Sequence, residues 1–379
     1  MKIYFPRIIV AVISSILSLI SPISAFSQYK LIKKDGLKVD SQLPVQIIDF
    51  NTSSNFFLGF IDSNKGGEIA LLNSKGEILV QKEIVGEGPN KISSAFNNLA
   101  FSNESEIWVQ GPYELLLLDL KLNIKQKTRY ISETKMHLYG RVEPFSYFNS
   151  QSGFSFIINP NRTSKFLDRQ EFFDKSLIEI FELNNGKSYE LAQVSERKIS
   201  KILDKSVGAI YFPIYLVDKD TNTLFLTTSL DNEITIYDLN TRKLKSRINI
   251  SHGKFLSFNS SISLGHLPSY KGRINLAGKN DKLLLLDNDC FVLDYINEIS
   301  LSSYENKISE DPTYHHFQDP NYHRLILFDQ TKQLSGDIPM PKNGHLMIAL
   351  PGNRLLFRID DPDVEEDFIR YEIYEIVKR

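Results

Sequence analysis

Phe56-Phe57-Leu58-Gly59-Phe60-Ile61-Asp62, then Glu68-Ile69-Ala70-Leu71-Leu72, then Glu77-Ile78-Leu79-Val80-Gln81-Lys82-Glu83-Ile84-Val85 are three apolar runs of strand length in close succession. Asn64-Lys65-Gly66-Gly67 and Asn73-Ser74-Lys75-Gly76 separate them and supply the positive-φ positions that tight hairpins need, while Gly86-Glu87-Gly88-Pro89 ends the third run. The stretch from Phe56 to Pro89 is therefore an antiparallel meander. Later segments repeat it. Glu106-Ile107-Trp108-Val109 with Tyr113 to Asp119 and Ile124 to Ile131 is one repeat, and Tyr211 to Val217, Thr223 to Thr228, Glu233 to Asp238 and Leu244 to Ile250 is the plainest.

The comparable turn positions Asn73, Asp119, Asn184 and Asp238 lie 46, 65 and 54 residues apart, which suits four-stranded units with loop insertions. No 3.6-residue apolar period is sustained over three turns, so a parallel α/β fold is disfavoured. Many short antiparallel strands fit a sandwich, a barrel or a propeller, and repetition at about 40–50 residues selects the propeller. The expected fold is all-β, a propeller of four-stranded antiparallel blades, with seven blades expected from the length and six the alternative. Ring closure requires an early strand, Tyr29 to Ile32 or Val45 to Phe50, to pair with Phe368 to Ile376, because an open ring leaves two sheet edges bare. Ser195 to Ser206 is expected to form a single helix, and Ser164 to Lys175 an inserted loop or short helix.

The 379 residues are 42% hydrophobic and 24% charged, an ordinary globular balance, and the formal net charge of −2 gives no support to binding driven by nucleic-acid phosphates. Lys2 and Arg7 precede an uncharged apolar run from Ile8 to Ile20, and Ala25-Phe26-Ser27 offers small residues at the spacing a signal peptidase reads. Residues 1–27 are therefore expected to be a signal peptide cleaved before Gln28, with residues 28–379 one propeller domain. An uncleaved anchor is the alternative, although the run is short for a membrane span of about 20 residues. Cleavage takes the net charge to −4. The expected address is periplasmic or secreted, with no stable membrane span after cleavage. Cys290 is the only cysteine, so there is no intramolecular disulfide and the core alone must hold the fold.

Gly86-Glu87-Gly88-Pro89-Asn90-Lys91-Ile92, the tract Tyr314-His315-His316-Phe317-Gln318-Asp319-Pro320-Asn321-Tyr322-His323-Arg324-Leu325, and a signal peptide ending before Gln28 together resemble the DUF4221-like group of secreted propeller proteins of Bacteroidetes. That group has no established activity, so the resemblance implies fold and compartment and no chemistry. The chain departs from it in lacking the lipid-attachment cysteine common in such cell-surface proteins.

Gly-x-Ser-x-Gly, His-Glu-x-x-His, paired Cys-x-x-Cys and Gly-x-x-x-x-Gly-Lys-Ser are all absent. Pro89 removes a backbone donor from the glycine-rich segment at 86–91, which is thus a turn between blades and no phosphate cradle. Asp62, Asp119, Asp238 and Asp329 stand at strand ends without an Asp-x-Asp-x-Asp-Gly run, and so are turn residues that cap their own backbones. Trp108 reads as a packed strand residue and Cys290 as a small apolar one.

The one unusual polar concentration is Tyr314 to Arg324, which holds three of the seven histidines. On a strand, His315 and His316 would face opposite sides. The candidate ligand-binding residues are His316, Asp319, Tyr322, His323 and Arg324, because Tyr, His and Arg combine flat contact area with directional hydrogen bonds, and an arginine fork grips a carboxylate or sulfate at two points. A structural role, pinning a long loop, is the competing explanation. No catalytic residue, metal ligand or cofactor is assigned. The expected function is a monomeric binding module that recognises a glycan, peptide or protein through the funnel, without nucleic acid. The alternative is a hydrolase or lyase with His316 or His323 as general base and Arg324 steadying a substrate carboxylate.

Overall fold

The first strand of the structure, β1 (Tyr29–Val39), does not pair with its successor but with the last strand of the chain, Ile369–Lys378, in antiparallel register from Tyr29 opposite Lys378 to Val39 opposite Ile369. The ring is closed by the earlier of the two strands expected for the task. Val45 to Asn51 opens the first blade instead. This computed structural model describes residues 28–62, 67–88, 91–92, 96–131, 142–151, 153–158, 172–203, 211–256, 276–361, 363 and 367–379. The expected signal peptide and most of the segment Ser164 to Lys175 lie outside the described residues.

Blade one is β2 (Val45–Asn51), β3 (Phe56–Ile61), β4 (Glu68–Leu72) and β5 (Ile78–Glu83), paired in sequence order. Blade two is β6 (Asn98–Asn103), β7 (Glu106–Gln110), β8 (Glu114–Asp119) and β9 (Ile124–Arg129), with the two-residue β10 (Glu143–Pro144) added in parallel along β6. Blade three is β11 (Tyr147–Ser150), β12 (Gly153–Ile158), β13 (Ser176–Glu182) and β14 (Lys187–Gln193). Blade four is β15 (Pro213–Asp218), β16 (Thr223–Thr228), β17 (Glu233–Asp238) and β18 (Lys243–Asn249). Blade five is β19 (Lys279–Leu285), β20 (Phe291–Ile296), β21 (His323–Phe328) and β22 (Ile338–Pro339). Blade six is β23 (Gly344–Leu350), β24 (Arg354–Ile359) and β25 (Ile369–Lys378), completed on the outside by β1.

Among the described residues there are six blades, which corrects the seven expected. The first strands of successive blades begin 53, 49, 66, 66 and 65 residues apart, longer than the assumed period, because the connections carry chain that forms no blade strand. The helix expected over Ser195 to Ser206 is also corrected. Its described part is two short 3-10 turns, Val194–Glu196 and Lys198–Lys201, interrupted at Arg197, whose backbone is extended at φ −80 and ψ 143.

Middle strands such as β16 and β20 are buried along their whole length, whereas the outer strands β9 and β18, with sequences IKQKTR and KLKSRIN, are largely exposed. Lysines on an outer edge discourage pairing with another chain. Apolar side chains collect in six clusters among the described residues, one at each junction between neighbouring blades. At the junction of blades two and three the cluster is aromatic: Trp108 lies 6.4 Å from Phe145 and 4.8 Å from Phe154, ring centre to ring centre, the packed role its strand position implied. Asp119, Asp238 and Asp329 each accept backbone N–H groups two to four residues ahead, the turn-capping role expected of them.

Candidate functional site

In every blade but the second, where the two-residue β10 lies inside β6, the first strand is the innermost, and β2, β6, β10, β15, β19 and β23 line a central channel of about 710 Å³, with Phe145 and Ser146 reaching it just before β11. Connections between blades, and the turns joining second to third strands, gather at the leading ends of these strands. The connections at the opposite end are shorter among the described residues, so the described long connections lie on one face, where loops on a rigid scaffold commonly carry binding residues.

Near the trailing end, Lys219 follows β15 directly and projects into the channel, with its Nζ 3.7 Å from the ring centre of Tyr147. Asp49 comes from the opposite side of the ring, on blade one. Its Oδ1 accepts the Phe50 N–H at 2.8 Å and its Oδ2 the Phe101 N–H at 2.8 Å. Burial lowers Lys219 below the usual lysine range, opposed by Asp49; burial likewise raises Asp49, opposed by Lys219 and by those two amides. At the leading end, Glu143, Lys279, Asp281, Lys282, His315, Phe317 and Gln318 line the channel. The Lys279 ammonium stands 4.9 Å from the centre of the Phe317 ring, and the Lys282 Nζ donates to the Leu346 carbonyl of blade six at 2.8 Å.

His315, Phe317 and Gln318 reach the channel because the long excursion between β20 and β21 folds back over blade five. The excursion contains α1 (Leu301–Glu310), whose N-terminus is capped by Ser300 accepting the Ser303 N–H at 3.2 Å. Asp319 ties the excursion to α1. Its Oδ2 accepts from Lys307 Nζ at 2.9 Å and from the Tyr314 hydroxyl at 3.1 Å, and its Oδ1 accepts the Asn321 N–H at 3.0 Å. Burial alone would raise Asp319, but the donors from Lys307 and Asn321 hold it below the usual carboxylate range.

His316 points away from the channel, fully buried, with Nε2 2.7 Å from the Asn297 carbonyl and its ring edge-to-face with Tyr322 at 4.6 Å. Burial pulls it down to about 4, so it is neutral near pH 7 and Nε2 must donate. The opposed directions expected of His315 and His316 are found, although a 3-10 turn at His316–Gln318 produces them where a strand was assumed. His323 opens β21, and its Nδ1 lies 2.9 and 3.0 Å from the two oxygens of Asp294. Burial opposes its charge, but the Asp294 carboxylate and that hydrogen bond prevail and raise it above the usual histidine range. Arg324 directs Nη1 to the carbonyls of Asn321 at 2.8 Å and His323 at 2.6 Å.

The structure therefore brings His316, Asp319, Tyr322, His323 and Arg324 together as the frame of one loop. From the same tract it places His315, Phe317 and Gln318 on the channel. Sequence reasoning missed those three as channel-lining residues, together with Lys219, Lys279, Asp281 and Lys282. The available signal was positional, since Lys279, Asp281 and Lys282 all lie on the first strand of a repeat unit.

No protein-family model matches the sequence, and no curated protein matches it. Among solved structures, a DUF4221 family member from Bacteroides vulgatus superposes with a TM-score of 0.69 at 9% identity, over 93% of this chain and 99% of that one. A Bacteroides fragilis protein described as exported superposes with a TM-score of 0.52 at 12% identity, over 95% of this chain and 98% of that one. The resemblance seen in the sequence thus holds at the level of the fold. Among the described residues no helix is long and apolar enough to cross a membrane.

Proposed function

We propose that this propeller is an exported, monomeric binding module that takes an anionic glycan or peptide segment into the leading end of its channel. The observation that supports it most is the grouping of Lys279, Lys282, His315 and Phe317 around the mouth of a 710 Å³ channel, where two ammonium groups, interleaved with Asp281 and facing Glu143, and a flat apolar ring converge from blade five. Such a set binds a carboxylate or sulfate by charge while an aromatic face takes the apolar side of a sugar ring or side chain. The five residues singled out from the sequence serve this site by holding the loop: Asp319 anchors it to α1, His316 and Tyr322 fill its underside, and His323 and Arg324 fix where it rejoins β21. Export rests on the charged start, the apolar run and the small residues before Gln28.

Calorimetry against a panel of acidic oligosaccharides and acidic peptides tests the proposal, with Lys279→Ala, Phe317→Ala and Asn240→Ala compared with the unchanged protein. Asn240 lies in the hairpin joining β17 to β18 of blade four and serves as the control. The expected result is a ligand whose affinity falls at least tenfold in the first two variants and stays unchanged in the third. Unchanged binding in folded Lys279→Ala and Phe317→Ala, or no binding by any member of the panel, would overturn it.

A further inference from the structure

Three ligating groups meet where blade five faces blade six. Asp294, in the middle of β20, pairs with Leu325 of β21; His323, two residues before Leu325, therefore projects from the same face of the sheet as Asp294. A register shift between Asn280 and Lys282 leaves Asp281 as the bulged residue of β19, and a bulge re-aims a side chain that strict alternation would send to the other face. The outcome is that one nitrogen of His323 and one oxygen each of Asp281 and Asp294 lie within 4.8 Å of one another. Asp281 also lines the channel, so the group is reached from the mouth.

We propose that Asp281, Asp294 and His323 bind a divalent transition cation, with the remaining coordination positions turned toward the channel. Ligand atoms about 2.0–2.2 Å from one metal lie about 3 Å apart when adjacent and at most about 4.4 Å apart when opposed. The His323 Nδ1 to Asp294 spacings of 2.9 and 3.0 Å are already those of adjacent ligands, and Asp281, with an oxygen within 4.8 Å of both, has to close in on them. The other ring nitrogen is placed as metal-bound histidines require: Nε2 faces the Phe317 carbonyl at 3.4 Å, an acceptor that fixes the tautomer with Nδ1 as the ligand. On binding, the proton shared by Nδ1 and Asp294 leaves to water and the cation takes its place between two carboxylates. Asp294 is 2% exposed and both its oxygens face the single Nδ1–H of His323, with Lys282 opposite on β19 as the other nearby charge, so the cation replaces a proton that now serves both oxygens. Two carboxylates and one imidazole suit Zn²⁺ or Mn²⁺ better than Ca²⁺, which takes oxygen ligands in larger number.

Titrate the metal-free protein, residues 28–379, with ZnCl₂ and MnCl₂ by calorimetry, and follow Co²⁺ binding by its visible absorption. The expected result is one equivalent bound at the unchanged protein, with affinity reduced at least tenfold in Asp281→Asn and in His323→Gln, and a Co²⁺ spectrum lost in both. Asp281→Asn keeps the size of the bulged residue, so its melting curve without metal should match that of the unchanged protein and separate lost ligation from lost fold. Asn240→Ala, in the hairpin joining β17 to β18 and far from the triad, should bind as the unchanged protein does. Absence of stoichiometric binding, or binding unaltered in folded Asp281→Asn, or binding abolished by Asn240→Ala alone, would each overturn the assignment.

Discussion

Deleting residues 28–39 removes β1 and tests whether one strand holds the ring shut. β1 covers β25 over its length and brings Leu37, 6% exposed, and Val39, fully buried, into the cluster between blades six and one. Its ion pairs, Lys33 with Glu372 and Lys34 with Glu375, involve half-exposed lysines and add little. The backbone ladder gains hydrogen bonds but orders 11 residues, two effects of opposite sign and similar size, so burial decides the result. Fully burying a leucine or valine contributes about 1.5–3 kcal/mol, which makes the loss about 3–6 kcal/mol for the pair. With an unfolding entropy of about 2.1 cal/mol/K per residue over a chain of this length, that is a fall of about 4–8 °C in Tm. Scanning calorimetry of the protein starting at Asp40 against that starting at Gln28 measures it, and a synthetic peptide of residues 28–39 should restore part of the difference. A Tm lowered by less than 2 °C would refute the reasoning, because the exposed β25 edge would then have no energetic consequence.

Arg197 is 1% exposed in its side chain, with Nε 2.5 Å from Asp231 and Nη1 donating to Thr235 at 2.6 Å, so Arg197→Met should leave Asp231 buried without its cationic partner, while Glu233 keeps Arg247 at 3.0 Å, and cost about 3–5 kcal/mol in urea unfolding. Burial pulls both His252 and His316 down to about 4 in the folded state. Since the unfolded chain takes up these protons first, near pH 6.5, the contribution of these two histidines to stability should be full above that pH and fall as pH drops from 6.5 to 4, by up to about 3 kcal/mol for each. Melting curves across that window should flatten in His252→Asn. Trp108→Ala opens a cavity in the aromatic junction of blades two and three and should cost about 3–5 kcal/mol by the same urea measurement, with no change in ligand binding at the mouth.

What the residues determined by themselves was local: period-two apolar runs between glycine- and asparagine-bearing turns suffice for four-stranded antiparallel units, and units that cannot bury both faces alone must stack on one another. Asn73, Asp119 and Asp238 were legible as turn residues because a side chain that caps its own backbone two to four residues ahead needs no distant partner. Blade number was not legible, since it depends on how much chain the connections absorb, and the long excursion between Ile296 and His323 adds length without adding a blade strand. The site was legible only as a tract. Which of two adjacent histidines faces the channel was decided by Asn297 and Tyr322 packing around His316, and the meeting of Asp281 with Asp294 and His323 by a single bulge in β19. Lys219 and Asp49 face each other from blades one and four, 170 residues apart, and no pattern along the chain can hold that information. Strand formation is governed by neighbours in sequence; a channel is assembled from residues whose only relation is that the ring closes.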